Sequence, residues 1–282
     1  MMAPMYKSSI LKHKLLFTAT VVCLLWLSQL QLVQAQQITF QQTVKVDNPV
    51  AVSIDRKSNF FITDQKSNLY QFSPQGQPIN TYSPPLTGKA SIVEAWNVFK
   101  IMLFYDDNQR IVFLDRFLRE LFTVRLSEHF DGLIRAATPS ADDKLWLFNE
   151  SEFSLIKFDP RLSERQIQTQ LSLVLGKDRF DIRFMREYQN NVYMVDAKSG
   201  VYVFDNMGNY KKKLPFTGLN YIGFLGEEMY FLKEGHIHFF HLYNFKERQI
   251  ELPLKKPYLN VLAGDNFLYL LLQNGIDIYS YQ

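Results

Sequence analysis

Few residues in this sequence could do chemistry, and three histidines in one short stretch are the most conspicuous. His236, His238 and His241 lie within six residues of one another. On a strand, His236 and His238 would point to the same side about 7 Å apart, and imidazole nitrogens are good zinc or copper ligands. A stable zinc site needs further ligands, which would have to come from elsewhere in the chain. The pattern therefore favours partly exposed structural histidines over a metal site.

Motifs for nucleophilic, phosphate or nucleotide chemistry do not occur. The sequence contains no nucleophile elbow, phosphate loop, zinc-protease helix or dinucleotide fingerprint. Adjacent acids such as Asp106–Asp107 and Glu227–Glu228 would face opposite ways on a strand and would be solvated on a turn. We therefore predict no catalytic residue, no metal and no cofactor.

Two arginines occupy matching positions in consecutive segments of the chain. Arg135 comes four residues after Asp131, and Arg183 comes two residues after Asp181. Both segments have the pattern of an inner strand at its start. Burying an arginine there is unfavourable unless its charge is ion-paired or faces water. Two interpretations remain open, a structural ion-pair ring with the acids and an anion-binding site.

The first 35 residues differ from the rest of the chain. Three lysines precede an apolar run from Leu15 to Leu27, and Val33-Gln34-Ala35 then supplies a small residue. This order predicts a secretory signal peptide over residues 1–35, so that a mature chain beginning at Gln36 is exported to the periplasm or outside the cell. The alternative is an uncleaved membrane anchor, which would need about 20 predominantly apolar residues.

Charge argues against a nucleic-acid partner. The chain carries 31 basic and 28 acidic residues, and residues 1–35 contain three of the lysines and no acid. Processing therefore leaves 28 residues of each sign and no basic footprint for nucleic acid. The single cysteine, Cys23, lies in the same segment, so we expect no disulfide and no thiolate metal site in the mature protein.

After residue 35 the chain repeats a unit of about 40 residues, which is typical of radial β repeats. The marker is a dense apolar run that closes on a polar residue in most units, and its first residues are 42, 43, 47, 37 and 39 positions apart. Consecutive apolar positions indicate a strand buried on both faces. The six runs are Phe60–Asp64, Met102–Asp106, Leu145–Asn149, Val192–Asp196, Met229–Lys233 and Leu268–Leu272.

Three further strands accompany each dense run, so the predicted fold is all-β. A hairpin partner follows the run, a more polar strand follows that partner, and another strand precedes the run. Four strands in six units predict a six-bladed β-propeller of antiparallel blades over residues 36–282. The last unit lacks its outermost strand, and the alternating residues Ile38, Phe40, Val44 and Val46 supply one. We therefore predict that the N-terminal strand completes the last blade with these four side chains buried.

The units resemble NHL-type propeller repeats. The resemblance rests on Ile62-Thr63-Asp64 leading to Gly76 in the first unit and on Val195-Asp196 leading to Gly208 in the fourth, whereas Lys233 and Leu272 replace the aspartate in the last two. Such propellers include binding modules and several unrelated enzymes, so the resemblance implies the fold but no single activity.

Some lyases of this type carry metal-binding histidines along the channel, and here only His129 could serve that way. Calcium-dependent propeller lactonases hold their metal in an oxygen-rich ring at the channel mouth. The positions that could form such a ring here also suit the turns that precede strands. They are Asn48, Glu94, Asp131, Asp181, Asn220 and Asn260.

We interpret the chain as an exported monomeric propeller that acts as a binding module for a protein or a small ligand. It has no membrane span after processing, and its binding face lies where the innermost strands begin. The residues predicted to form that face are Asn48, Asp131, Arg135, Asp181, Arg183, Asn220, Tyr221 and Asn260. The alternative is a metal-dependent hydrolase or lyase of lactonase type at the channel mouth.

Overall fold

The computed structural model describes residues 38–85, 88–175, 180–252 and 256–281, and these form six four-stranded antiparallel sheets. The predicted signal peptide and the start at Gln36 lie outside the described residues. Two short 3-10 helices, Leu126–Glu128 and Leu171–Leu173, are the only helices in the described part of the chain. None of the described helices is long and apolar enough to cross a membrane.

The first strand of each blade is innermost, and the chain moves outward strand by strand. Blade one consists of β2 (Pro49–Ile54), β3 (Phe60–Asp64), β4 (Leu69–Phe72) and β5 (Pro78–Tyr82). Blade two consists of β6 (Ile92–Glu94), β7 (Ile101–Tyr105), β8 (Arg110–Leu114) and β9 (Glu120–Arg125). Blade three consists of β10 (Ile134–Pro139), β11 (Leu145–Asn149), β12 (Ser154–Asp159) and β13 (Glu164–Gln170). Blade four consists of β14 (Ile182–Tyr188), β15 (Asn191–Asp196), β16 (Gly200–Asp205) and β17 (Tyr210–Leu214). Blade five consists of β18 (Gly223–Leu225), β19 (Glu228–Lys233), β20 (His236–His241) and β21 (Glu247–Glu251). Blade six consists of β22 (Asn260–Ala263), β23 (Phe267–Leu272), β24 (Gly275–Tyr281) and β1 (Ile38–Lys45).

The six dense apolar runs form the second strands, as predicted. All five residues of β3, β7 and β11 are buried, including the fully covered Trp146. A strand between two neighbouring sheets needs apolar side chains on both faces, which explains why these segments lack period-two alternation. Outer strands such as β9 and β13 are mostly exposed, because only their inward edge meets the blade.

A turn held by an aspartate and an asparagine recurs between strands. In the turn after β2, Asp55 Oδ1 accepts hydrogen bonds from the backbone N–H groups of Lys57 and Asn59 at 2.7 and 2.9 Å. The side-chain amide of Asn59 donates to Asp55 Oδ2 at 2.7 Å. Asp64 and Asn68 repeat these contacts after β3. Asx side chains that satisfy backbone donors in this way set the short turns of the blades.

The N-terminal strand closes the ring, and this prediction is confirmed. β1 pairs antiparallel with β24, and Thr43 donates a 2.6 Å hydrogen bond to the carboxylate of Asp277. The expected burial of all four apolar side chains is wrong: Val46 is buried, Ile38 and Val44 are half-buried, and Phe40 is 46% exposed. The register of β1 shifts between Phe40 and Gln42, so the alternation is interrupted and Phe40 does not share a face with Val44. The ring of Phe40 packs edge-on against Tyr279 at 5.5 Å.

Candidate functional site

The innermost strands begin at one face of the ring, which we call the mouth. Each first strand runs away from the mouth and each second strand returns to it, so residues that precede first strands and residues that follow second strands lie close together. Two adjoining cavities open there and share Ser91, Ile92 and Arg183 as a common wall.

The first cavity, of about 200 Å³, is lined mainly by apolar residues. Its wall includes Val52, Val93 and Phe184 on three different inner strands, with Tyr221 and Leu271 beside them. Asn220, Asn260, Ser91 and Arg183 supply its polar groups. An apolar wall with a few polar groups is the usual composition of a ligand pocket.

The second cavity, of about 320 Å³, is lined by five charged side chains. Arg135 donates from Nε and Nη2 to Glu150 Oε2 at 3.0 and 2.8 Å, and its Nη1 lies 3.8 Å from Asp106 Oδ2. Arg183 donates from Nη2 to Asp181 Oδ2 at 2.8 Å. Both arginines, 41% and 53% exposed, are thus ion-paired yet accessible at the mouth.

Six of the eight predicted site residues line these cavities. They are Arg135, Asp181, Arg183, Asn220, Tyr221 and Asn260. Asn48 and Asp131 do not line either one, although both precede first strands and are exposed. Asn48 instead adopts a left-handed backbone conformation with φ 46° in the turn before β2.

Sequence reasoning missed Asp106 and Glu150. Asp106 directly follows β7, and Glu150 directly follows β11. Because second strands end at the mouth, their place in the sequence was the signal that could have found them: Asp106 closes its dense run, and Glu150 comes one residue after Asn149, which closes the next.

A buried ion pair joins the innermost strands of the second and fourth blades. Arg186 donates from Nε to Glu94 Oε2 at 2.6 Å, and both side chains are 7% exposed. Arg186 Nη1 donates to the hydroxyl of Tyr221 at 3.3 Å. Burial disfavours the charged guanidinium, but Glu94, Tyr221 and Tyr230 together outweigh it, so the pKa of Arg186 lies above its usual value. Burial raises the pKa of the Tyr221 hydroxyl, which therefore stays protonated at neutral pH.

Glu94 consequently does not belong to an oxygen-rich ring at the mouth. It lies at the far end of β6 and joins the second blade to the fourth across the channel. Beyond it, the ring of Trp96 lies 6.1 Å from that of Tyr188, with the guanidinium of Arg56 over Trp96. Of the six proposed ring members, only Asp181, Asn220 and Asn260 line a cavity.

No described histidine lines either cavity. His238 stacks on Phe231 with ring centroids 5.0 Å apart, and His241 Nε2 lies 3.3 Å from Glu227. His129 packs against Phe158 on a third strand rather than lining the channel. Among the described residues, no group of three or more His, Cys, Asp or Glu side chains could hold a metal ion.

Fold and topology define the class of the protein, a six-bladed β-propeller whose first strand closes the last blade. No protein-family model matches the chain, so the NHL resemblance extends no further than the fold. None of the curated proteins matches it either.

Solved structures share this fold at low sequence identity. A catalytically inactive variant of virginiamycin B lyase from Staphylococcus aureus with quinupristin is 9% identical and has a TM-score of 0.60, over 86% of this chain and 99% of that one. The propeller domain of Cps50 (Swd1) from Myceliophteria thermophila is 10% identical, with a TM-score of 0.61, over 87% and 100%. YCF48 bound to D1 peptide is 11% identical, with a TM-score of 0.57, over 88% and 97%.

Proposed function

We propose that this protein is an exported propeller whose mouth captures an extended segment of a partner protein or a small ligand. The observation that carries the proposal is the pair of adjoining cavities, which gathers six predicted site residues from different blades. Rigid blades hold these residues, while the loops that lead into the first strands leave their polar groups accessible. A single blade could not form this site, because each blade contributes only a few of the residues that line the two cavities.

Catalysis finds less support at the mouth. The charged cavity pairs each arginine with carboxylates, and no described side chain there is a free nucleophile with an adjacent base. YCF48, a propeller of similar fold, has been solved with a bound peptide. PorZ, also similar in fold at 14% identity and a TM-score of 0.52 over 87% of this chain and 39% of that one, is described as a bacterial surface component of a secretion system. The first supports a binding module, and the second supports export.

The alternative function is a metal-dependent hydrolase or lyase at the same mouth. Its support is the likeness in fold to virginiamycin B lyase, and the described residues provide no histidine at either cavity. Metal analysis of the purified protein separates the two functions. Stoichiometric calcium or zinc that survives dialysis would favour the enzyme.

Site-specific cross-linking tests the binding function. A photo-reactive residue in place of Asn260 at the mouth should capture a defined partner, and Arg183→Ala should reduce that capture. Arg161→Ala is a matched control, since Arg161 is also exposed and paired with an aspartate two residues earlier, in the turn between β12 and β13 at the opposite face. Absence of capture from position 260 would remove the mouth as the binding site, and equal capture by the two variants would exclude Arg183 from it.

A further inference from the structure

We infer that the mouth recognises a segment of a partner protein in which an apolar side chain of about leucine size is followed, two residues later, by a basic side chain. The inference rests on the proposed function and specifies the chemistry of its ligand. It follows from the contrast between the two adjoining cavities, which differ in polarity and net charge but share a wall.

The apolar cavity selects the first of these side chains. Val52, Val93, Phe184 and Leu271, which line it, have hydrocarbon side chains, and a cavity of about 200 Å³ is too small for a drug-sized molecule. Filling it with an aliphatic side chain removes apolar surface of both partners from water. A charged group there would lose its hydration without gaining an ion pair, because Arg183 already contacts Asp181.

The charged cavity selects the second side chain through its net charge. Three carboxylates and two guanidinium groups line it, which leaves one negative charge in excess. The excess lies around Arg135, where Glu150 and Asp106 share a single cation. These two carboxylates are 31% and 30% exposed, so a lysine or arginine of a ligand can reach them from solvent. An added carboxylate would meet a site that is already negative.

Their common wall determines the spacing. Ser91, Ile92 and Arg183 line both cavities, so the two openings lie side by side on the mouth. In an extended segment that crosses this face, only alternate side chains point toward it, about 7 Å apart. The apolar and basic side chains are therefore expected at positions i and i+2.

Three blocked tripeptides that differ in one side chain test this inference. Acetyl-Leu-Gly-Lys-amide, acetyl-Leu-Gly-Gln-amide and acetyl-Leu-Gly-Glu-amide are titrated into the purified protein, with the methyl resonances of Ile92 and Val93 as reporters. The lysine peptide should bind about threefold more tightly than the glutamine peptide, and that in turn about threefold more tightly than the glutamate peptide. The differences should shrink as ionic strength rises.

Variants change the charge of the cavity in both directions. Glu150→Gln should reduce the preference for lysine, and Arg183→Gln should increase it. Glu164→Gln removes the same charge from the exposed outer strand β13 and should leave the preference unchanged. Equal affinities, or tighter binding of the glutamate peptide, would overturn the inference but leave the mouth as a binding site.

Failure of the proposed function has a different signature. If no peptide shifts the Ile92 and Val93 resonances while partner capture still depends on Arg183, only the inferred ligand chemistry is wrong. If the photo-reactive residue at position 260 also captures no partner, the mouth is not the binding site and both proposals fail.

Discussion

Removing one partner of the buried pair Glu94–Arg186 should destabilise the propeller far more than removing an ion pair at its mouth. The two side chains meet at 2.6 Å, are 7% exposed, and connect the second blade to the fourth across the channel. Glu94→Leu leaves a guanidinium that cannot lose its proton in a site closed to water. A buried pair broken in this way costs about 3–5 kcal/mol.

That free energy is measurable as a change in melting temperature. For a domain of 150–250 residues, each kcal/mol shifts Tm by about 2–4 °C, so Glu94→Leu should lower Tm by about 6–20 °C. Arg186→Met should cost less, because the carboxyl group left behind can take up a proton. The double variant should recover much of the loss, since replacing both ions with apolar side chains of similar volume is often close to neutral.

Chemical denaturation of the two single variants and the double variant completes a thermodynamic cycle. The matched control is Arg135→Met, whose exposed pair with Glu150 should contribute no more than about 1 kcal/mol. A Glu94→Leu variant as stable as the Arg135→Met variant would refute the argument. It would mean that water or another polar group stabilises the charge of Arg186 when Glu94 is absent.

Three further predictions concern closure, acid stability and export. Deleting residues 38–45 should leave the protein insoluble or severely destabilised, because it uncovers β24 along its whole length; a deletion variant that melts within a few degrees of the parent would contradict the closure. Burial raises the pKa of Asp277, but hydrogen bonds from Lys256, Thr43 and Tyr258 outweigh it and hold that pKa below its usual value. Asp277 therefore stabilises the fold above the unfolded-state pKa of about 3.9, and this contribution is lost as pH falls through the folded-state value. Asp277→Asn should then lower stability at neutral pH and weaken its pH dependence between about pH 5 and pH 2 in acid denaturation curves, whereas an unchanged curve would exclude this role. Intact mass of the exported protein should show a chain that begins at Gln36, and a membrane-bound species that retains residues 1–35 would indicate an anchor.

The architecture could be predicted from sequence because each blade repeats the same local requirement. A strand between two sheets must be apolar on both faces, and six dense runs at a spacing of about 40 residues therefore predict six blades before any contact is known. Closure was predictable for a similar reason. The last unit lacked an outer strand, and a segment with one apolar face preceded the first unit.

The candidate site was only partly predictable. Positions before first strands are visible in the sequence, and six of the eight predicted residues do line the cavities. Asp106 and Glu150 were missed because their importance comes from Arg135, which belongs to another strand in each case. The residues that flank Asp106 and Glu150 in the sequence do not indicate that Arg135 lies beside them.

Tertiary structure alone decided which polar residues are available to a ligand. Arg183 and Arg186 are three residues apart on one strand. Packing leaves Arg183 at the mouth and buries Arg186 against Glu94, which is 92 residues away in the chain. Local sequence determines which strands form and which faces are apolar, because those depend on neighbours along the chain. Burial and ion pairing between blades depend on distant residues that meet only when the ring closes.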